Sequence, residues 1–326
     1  MFSSIELCVL FIVVVNNSFV FIRSFSFVKK EISASVNKYH MVIDTARSSD
    51  NENVQLLDTL SKFYSFLGAG DQSTYIGKIL KKSVDSTQQL IASSNQGVRI
   101  EISFPESKKN DISVVESLDI NKDFVLKFIQ LLLANKNVQL DPSNVYLVFP
   151  DKKEGMLALK DVDRAAFPYT ITSIELLLKS MESSSLSSKT LVYVNPGFNV
   201  EEWLSIAAIS EKTPSANVIV VNGNLDRLRK NYYPSFFYPA LAAATTRFYR
   251  QFSPALFVSP IAVNGDRLGA WLCCCPLAPT PLPPWALLVR SPSGYAAAQV
   301  FEEEPPPDQA WKTAKERHFQ IWGRRF

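Results

Sequence analysis

Residues 145–155, VYLVFPDKKEG, join an apolar run to a polar reversal of the chain. The first five residues are aliphatic or aromatic, a pattern that is typical of a buried strand. The run stops at Pro150, and two acids, Asp151 and Glu154, follow directly. The segment therefore predicts a strand, whose acids lie either in an ordinary turn or at the mouth of a ligand site.

Three other apolar runs end in the same way, and helical patterns lie between them. The four predicted strand ends are 104–106 (FPE), 149–151 (FPD), 194–197 (VNPG) and 221–224 (VNGN). Strands that alternate with helices indicate a mostly parallel sheet covered by helices on both faces. From Ala255 onward, closely spaced strand patterns indicate an antiparallel arrangement. We therefore predict an α/β fold, with a Rossmann-like, mostly parallel sheet covered by helices and a C-terminal antiparallel extension.

Composition and periodicity divide the chain into four segments. Residues 1–43 are a signal- and transit-like presequence, and residues 44–73 are a linker and helix start. Residues 74–302 form the single α/β domain, and residues 303–326 form a C-terminal helix and tail. The length of 326 residues is enough for this arrangement.

The presequence combines two kinds of targeting signal. Residues 7–15, LCVLFIVVV, are too few to span a bilayer but suit the apolar region of a signal peptide. Residues 16–40 are rich in Ser, Phe and basic side chains, and Glu31 is their only acid, as in a plastid transit peptide. Together they predict a chloroplast protein of the stroma or thylakoid surface, with no stable transmembrane span once mature. A plain secretory signal, or one membrane anchor over residues 7–22, also fits.

Polar side chains follow the predicted parallel strands at their carboxyl ends. These ends share one edge of an open sheet, where ligands usually bind. The candidates for a ligand site are Glu106, Asp151, Glu154, Asn195 and Asn222. Asn, Asp, Gly and Pro are also the residues that chain reversals require, so ordinary turns explain the same pattern.

Several common sites are excluded by their missing residues. Residues 68–78, GAGDQSTYIGK, lack the first glycine of a phosphate loop, and Ile79 stands where its Ser or Thr should be. The chain has only two histidines, His40 and His318, which argues against a serine triad or a zinc site. Three consecutive cysteines at 273–275 are poorly spaced for a disulfide or a metal. We therefore predict no cofactor and no metal site, and we favour a binding protein while leaving catalysis open.

Charge argues against nucleic acid as a partner. The formal net charge is only +3, from 34 basic and 31 acidic residues. Phosphate binding needs a clustered basic surface, which this balance does not indicate.

Residues 231–252, NYYPSFFYPALAAATTRFYRQF, form the most aromatic stretch. Phe237, Leu241, Ala244 and Phe248 follow helical spacing, which predicts core packing. Aromatic side chains interleaved with arginines are also typical of a protein interface. In that second interpretation the partner-binding residues are Arg247, Phe248 and Arg250.

Six short motifs, in a fixed order between about residues 75 and 301, resemble a known plastid family. They are VRIEISFPE, VYLVFPDKKE, LVYVNPG, VIVVNGNLDRL, NYYPSFFYP and TRFYRQFSPALFVSPI. The family is a domain of unknown function that includes the low photosystem II accumulation protein and the C-terminal region of a plastid adenylate kinase. The resemblance implies a chloroplast protein with a Rossmann-like body that assists photosystem II assembly. It offers no catalytic residues, and the missing phosphate loop gives no ground for kinase activity.

Two functional hypotheses remain open. The first is a non-enzymatic chloroplast protein that assists photosystem II assembly by contact with plastid proteins, such as photosystem II subunits at the thylakoid surface. The alternative is a small-ligand or nucleotide-binding α/β protein, an enzyme included, with its site at the carboxyl ends of the parallel strands.

Overall fold

The computed structural model describes residues 12–15, 18–21 and 53–323, with gaps at 69, 95, 107–112, 135–139, 161–167, 182–188, 198, 231, 264–265 and 279–284. The chain forms two compact units, Met1–Gln55 and Leu56–Phe326. In the first unit, β1 (Ile12–Val15) pairs antiparallel with β2 (Ser18–Phe21). Most of the predicted presequence, residues 1–43, lies outside the described residues. Within the described ranges, no helix combines the length and hydrophobicity needed to cross a membrane.

The second unit is built on one nine-stranded sheet. Its strands are β3 (Arg99–Ser103), β4 (Val145–Phe149), β5 (Thr170–Ser173), β6 (Thr190–Val194), β7 (Asn217–Val221), β8 (Ser253–Val263), β9 (Asp266–Cys274), β10 (Trp285–Ser291) and β11 (Gly294–Phe301). The helices are α1 (residues 53–63), α2 (Gln72–Ala92), α3 (Val114–Ala134), α4 (Lys152–Lys160), α5 (Ile174–Ser180), α6 (Val200–Lys212), α7 (Asp226–Arg229), α8 (Pro239–Arg247) and α9 (Pro307–Trp322).

The strand order is β11-β10-β9-β8-β3-β7-β6-β4-β5. The strands from β8 to β5 in this order run parallel to one another. The strands from β8 to β11 pair antiparallel. The predicted α/β fold, mostly parallel with a C-terminal antiparallel extension, is therefore confirmed.

Helices cover both faces of the parallel strands. Residues of α2, α3 and α4 share one apolar core with alternate side chains of the strands. Residues of α5, α6, α7 and α8 share a second core on the opposite face. All five residues of β6 are buried, which explains why residues 191–194 are continuously apolar rather than alternating.

The connections create a switch point between β3 and β7. These two strands are neighbours, but β3 leads to α3 on one face and β7 leads to α7 and α8 on the other. The chain therefore diverges between their carboxyl ends, the position at which open α/β sheets usually bind ligands.

Of the segment 44–73, which is predicted as a linker and helix start, the structure describes residues 53–68 and 70–73. Residues 53–63 form α1, and a 3-10 helix follows at Ser65–Gly68. Leu60, Tyr64 and Phe66 are buried in the core beside α2 and α3. The apolar side chains of α1 recur at helical spacing, and so this stretch folds onto the domain.

Candidate functional site

A chain of hydrogen bonds joins the carboxyl ends of β3 and β7. The Asn222 side-chain oxygen accepts from the Phe104 N–H at 2.8 Å, and its amide donates to Asn121 Oδ1 at 2.7 Å. Asn121, on α3, in turn donates to Glu106 Oε1 at 3.0 Å and is fully buried. Two of the predicted ligand residues, Glu106 and Asn222, are thus brought together by a third residue that sequence reasoning missed. The network satisfies most of these polar groups internally.

The backbone conformation at the strand ends explains why asparagines occur there. Asn195, Asn222 and Asn224 have φ values of 44°, 51° and 53°. This left-handed region is costly for most residues, and asparagine tolerates it better than others. The Asn195 N–H also donates to the Val221 carbonyl at 2.7 Å, which ties the turn after β6 to β7. Asn195 therefore stabilises the turn after β6.

Asp151, the first acid of the opening segment, caps a helix. Asp151 Oδ1 accepts from the Glu154 N–H at 2.9 Å, an N-cap at the start of α4. Helix α6 is capped in the same way, because Asn199 Oδ1 accepts from the Glu202 N–H at 2.9 Å. Glu202 Oε2 also accepts from the Gly197 N–H at 2.7 Å. Helix N-termini bind phosphate in nucleotide-binding proteins through free backbone N–H groups. At the N-termini of α4 and α6, such N–H groups already donate to side chains of this protein.

Two cavities among the described residues lie away from this edge. One, of about 240 Å³, is lined by residues such as Val98 and Gln251 near the amino end of β3. The other, of about 200 Å³, lies between α7 and α8. In the part of the chain that the structure describes, no three His, Cys, Asp or Glu side chains are grouped to hold a metal. That the five strand-end residues bind a ligand stays a prediction.

An ionic cluster around the buried Glu101 lies on the face of β3 opposite to Ile100 and Ile102. Glu101 is only 2% exposed and accepts from Arg229 at 2.7 Å. Arg229 also pairs with Asp226 at 2.8 Å, and Lys230 pairs with Asp226 at 2.6 Å and with Glu304 at 2.5 Å. The cluster joins β3, α7 and the segment before α9, and so it fixes the base of the loop that follows α7.

The cluster holds three carboxylates against two cations. Burial raises the pKa of Glu101 to about 7, although Arg229 opposes this rise. Burial and Asp226 also raise the pKa of Glu304. Sequence reasoning missed this cluster, because alternation in β3 places Glu101 on a face that looks exposed. A charge in a strand covered on both faces must have a partner, and that rule could have identified it.

Exposed aromatic rings crowd the segment between α7 and α8, which we call the aromatic loop (residues 232–238). Phe236 is 87% exposed, Phe237 71% and Tyr232 66%. Phe236 and Phe237 meet edge to face at 5.1 Å between ring centroids. The Phe237 N–H donates to the Pro234 carbonyl at 3.0 Å, as does that of Tyr238, so the loop has a defined turn. Contiguous exposed apolar surface of this kind marks interaction sites.

The three predicted partner-binding residues have different environments. Arg247 is exposed and pairs with Glu211 at 2.6 Å, while Arg250 is exposed and lines the cavity of about 200 Å³. Phe248 is only 6% exposed and packs against Tyr249 and Phe252 in the core. Phe248 is therefore a packing residue in this fold, as its helical spacing indicated.

Phe237, unlike Phe248, is exposed, although the predicted helical stripe would bury it. Helix α8 begins only at Pro239, so Phe237 precedes the helix and points to solvent, whereas Leu241 and Ala244 are buried as predicted. The exposed aromatic surface therefore lies before α8 rather than at its end.

Comparison with known proteins identifies the family. Residues 76–311 match the model of the family described as Domain of unknown function (DUF1995). The match covers most of the chain, and the chain belongs to this family. No curated protein and no solved structure matches it significantly.

Proposed function

We propose that this member of the DUF1995 family is a non-enzymatic chloroplast protein that assists photosystem II assembly by binding a partner protein through the aromatic loop. The resemblance of its ordered motifs to the plastid proteins of low photosystem II accumulation type supports the role. The signal- and transit-like composition of residues 1–43 supports the location.

The single observation that carries the contact is the exposure of Phe236 and Phe237. Covering most of two phenylalanine rings removes roughly 300 Å² of apolar surface from water. At about 25 cal/mol per Å² this contributes about 7 kcal/mol before the cost of association. Left in water, the same surface is an aggregation liability, so a partner that covers it explains its presence.

The strand-end alternative receives less support from the geometry. Asp151 and Asn199 cap the helices that would otherwise face an anion, and Asn222 is engaged with Phe104 and Asn121. A small-ligand or nucleotide-binding protein with its site at this edge remains the second hypothesis.

Co-purification from native cells tests the proposal. Tagged protein is isolated from solubilised thylakoids, either unchanged or with Phe236→Ser and Phe237→Ser. We expect photosystem II subunits to co-purify with the unchanged protein and to be lost with the double variant. Phe319→Ser removes another exposed phenylalanine, on α9, and is the matched control that should retain them. Equal recovery with all three proteins would contradict the proposal.

A further inference from the structure

A cavity of about 200 Å³ opens directly beside the aromatic loop. Its lining includes Leu228, Tyr233, Leu241, Ala242, Thr245 and Arg250. Leu228 and Leu241 are buried and form an apolar wall. A cavity of about 150 Å³ is large enough to bind benzene, so this one has room for a single large side chain.

Two of the four hydroxyl groups at the cavity donate to carbonyls of α8. Thr245 Oγ1 donates to the Leu241 carbonyl at 2.8 Å, and Thr246 Oγ1 donates to the Ala242 carbonyl at 3.1 Å. Both protons are therefore engaged by α8 itself. The hydroxyls of Tyr233 and Ser235 also line the cavity, and the guanidinium of Arg250 is the charged donor in its lining, which favours an anionic acceptor.

Two arginines beside the loop, Arg227 and Arg250, supply positive charge. Residues 226–250 contain five basic side chains and one acid, but three of the five already pair with carboxylates: Arg229 with Glu101, Lys230 with Glu304 and Arg247 with Glu211. Arg227 lies over the Tyr232 ring at 5.5 Å. Among the described residues, no carboxylate lies within ion-pair distance of Arg227 or Arg250. Arg227 and Arg250 thus give the rim of the aromatic loop positive charge that no described carboxylate neutralises.

We propose that the partner presents an acidic peptide segment with one large apolar side chain, and that this side chain enters the cavity beside the aromatic loop. The inference rests on the proposed function, because it describes the partner of the same surface. The exposed rings cover the peptide, and a neighbouring carboxylate of the peptide pairs with Arg250. An anionic lipid surface would contact the exposed rings and the arginines, but it would not fill a cavity the size of one side chain.

A phage-displayed library of random dodecapeptides, selected on the full-length protein, tests this chemistry. We expect the enriched peptides to carry Asp or Glu next to one Phe, Trp or Leu. The synthetic consensus peptide should bind about tenfold more weakly, or worse, to Ala242→Phe, which fills the cavity from α8. Ala243→Phe adds the same ring at an exposed position of α8 outside the lining and should bind normally.

Arg250→Glu provides a second variant that does not depend on core packing, because Arg250 is exposed. It should lose the acidic peptide, whereas Lys127→Glu, an exposed charge reversal on the other face of the sheet, should keep it. Three results would overturn the inference. They are enrichment of basic peptides, no enrichment at all, or binding of the consensus peptide by Ala242→Phe and Arg250→Glu as tightly as by the wild type. Binding to phosphatidylglycerol vesicles that needs Phe236 and Phe237, with no peptide selected, would assign the surface to lipid instead.

The two proposals fail in different ways. If the loop variants lose photosystem II subunits but no acidic peptide is selected, the proposed function stands and the peptide chemistry is wrong. If the loop variants keep those subunits while acidic peptides bind the cavity, the surface has a different protein partner.

Discussion

Replacing Glu101 with glutamine should remove much of the pH dependence of the free energy of unfolding near neutrality. Glu101 is buried beside Arg229, in a cluster with more carboxylates than cations. Its pKa is about 7 in the folded protein, against 4.5 for an ordinary glutamate. Between these values the folded state keeps a proton that the unfolded state has released. The resulting stabilisation is complete below pH 4.5 and is lost as the pH rises through 7.

The size of this effect follows from the two pKa values. Linkage gives a loss of about 2 kcal/mol in the free energy of unfolding between about pH 5.5 and pH 8. Histidines add little in this range because the chain has only two, and Glu304, whose pKa is also raised, belongs to the same cluster. Glutamine keeps the shape and can still accept from Arg229, so the variant removes the titration without emptying the site.

Urea denaturation across this pH range measures the effect in the wild type, Glu101→Gln and Glu316→Gln. The last variant removes an exposed carboxylate of α9 and should follow the wild type. We expect Glu101→Gln to show a flatter profile and to gain stability relative to the wild type as the pH rises. Parallel profiles for the wild type and Glu101→Gln would refute the assignment of the proton to this cluster.

Three further results test the packing of the domain. Asn222→Ala should destabilise the protein by about 1–3 kcal/mol in denaturation experiments, because it breaks two hydrogen bonds. Asn224 has a similar φ and no side-chain hydrogen bond to a described residue, so Asn224→Ala should cost less; equal costs would count against the network. Tyr249→Phe should lower the free energy of unfolding by about 1 kcal/mol, since the Tyr249 hydroxyl donates to the buried Trp203 carbonyl. An unchanged denaturation midpoint would show that this hydrogen bond does not stabilise the fold. Burial raises the pKa of all three thiols at 273–275, so peptide mapping should find them unalkylated by N-ethylmaleimide until the protein unfolds; rapid native labelling is the contrary result.

Much of the fold could be predicted from the sequence because its strands are buried on both faces. Continuous apolar runs such as VYLVF and VIVV are what a central parallel strand requires, and the turn residues after them mark each strand end. Residues 44–73 are predicted as a linker and helix start because residues 44–53 are polar. Helix α1 in this segment is short, and only the folded core that its apolar side chains contact shows why they are apolar.

The functional surfaces were harder to predict, since exposure is a tertiary property. Helical spacing places Phe237 and Phe248 on one stripe, but α8 begins at Pro239, and this separates an exposed ring from a buried one. The pairing of Glu101 with Arg229 joins residues that are 128 positions apart, so no local pattern contains it. Likewise, the strand ends predicted Glu106 and Asn222, but only the fold places Asn121 between them.

Site-specific cross-linking tests the central claim, that the aromatic loop is the partner contact, most directly. The photoreactive residue p-benzoylphenylalanine is placed at position 236 or, as a control, at position 319, and native cells are irradiated. Mass spectrometry of the adducts should identify a photosystem II subunit cross-linked from position 236 and not from position 319. Absence of an adduct at position 236, or the same adducts from both positions, would contradict the claim.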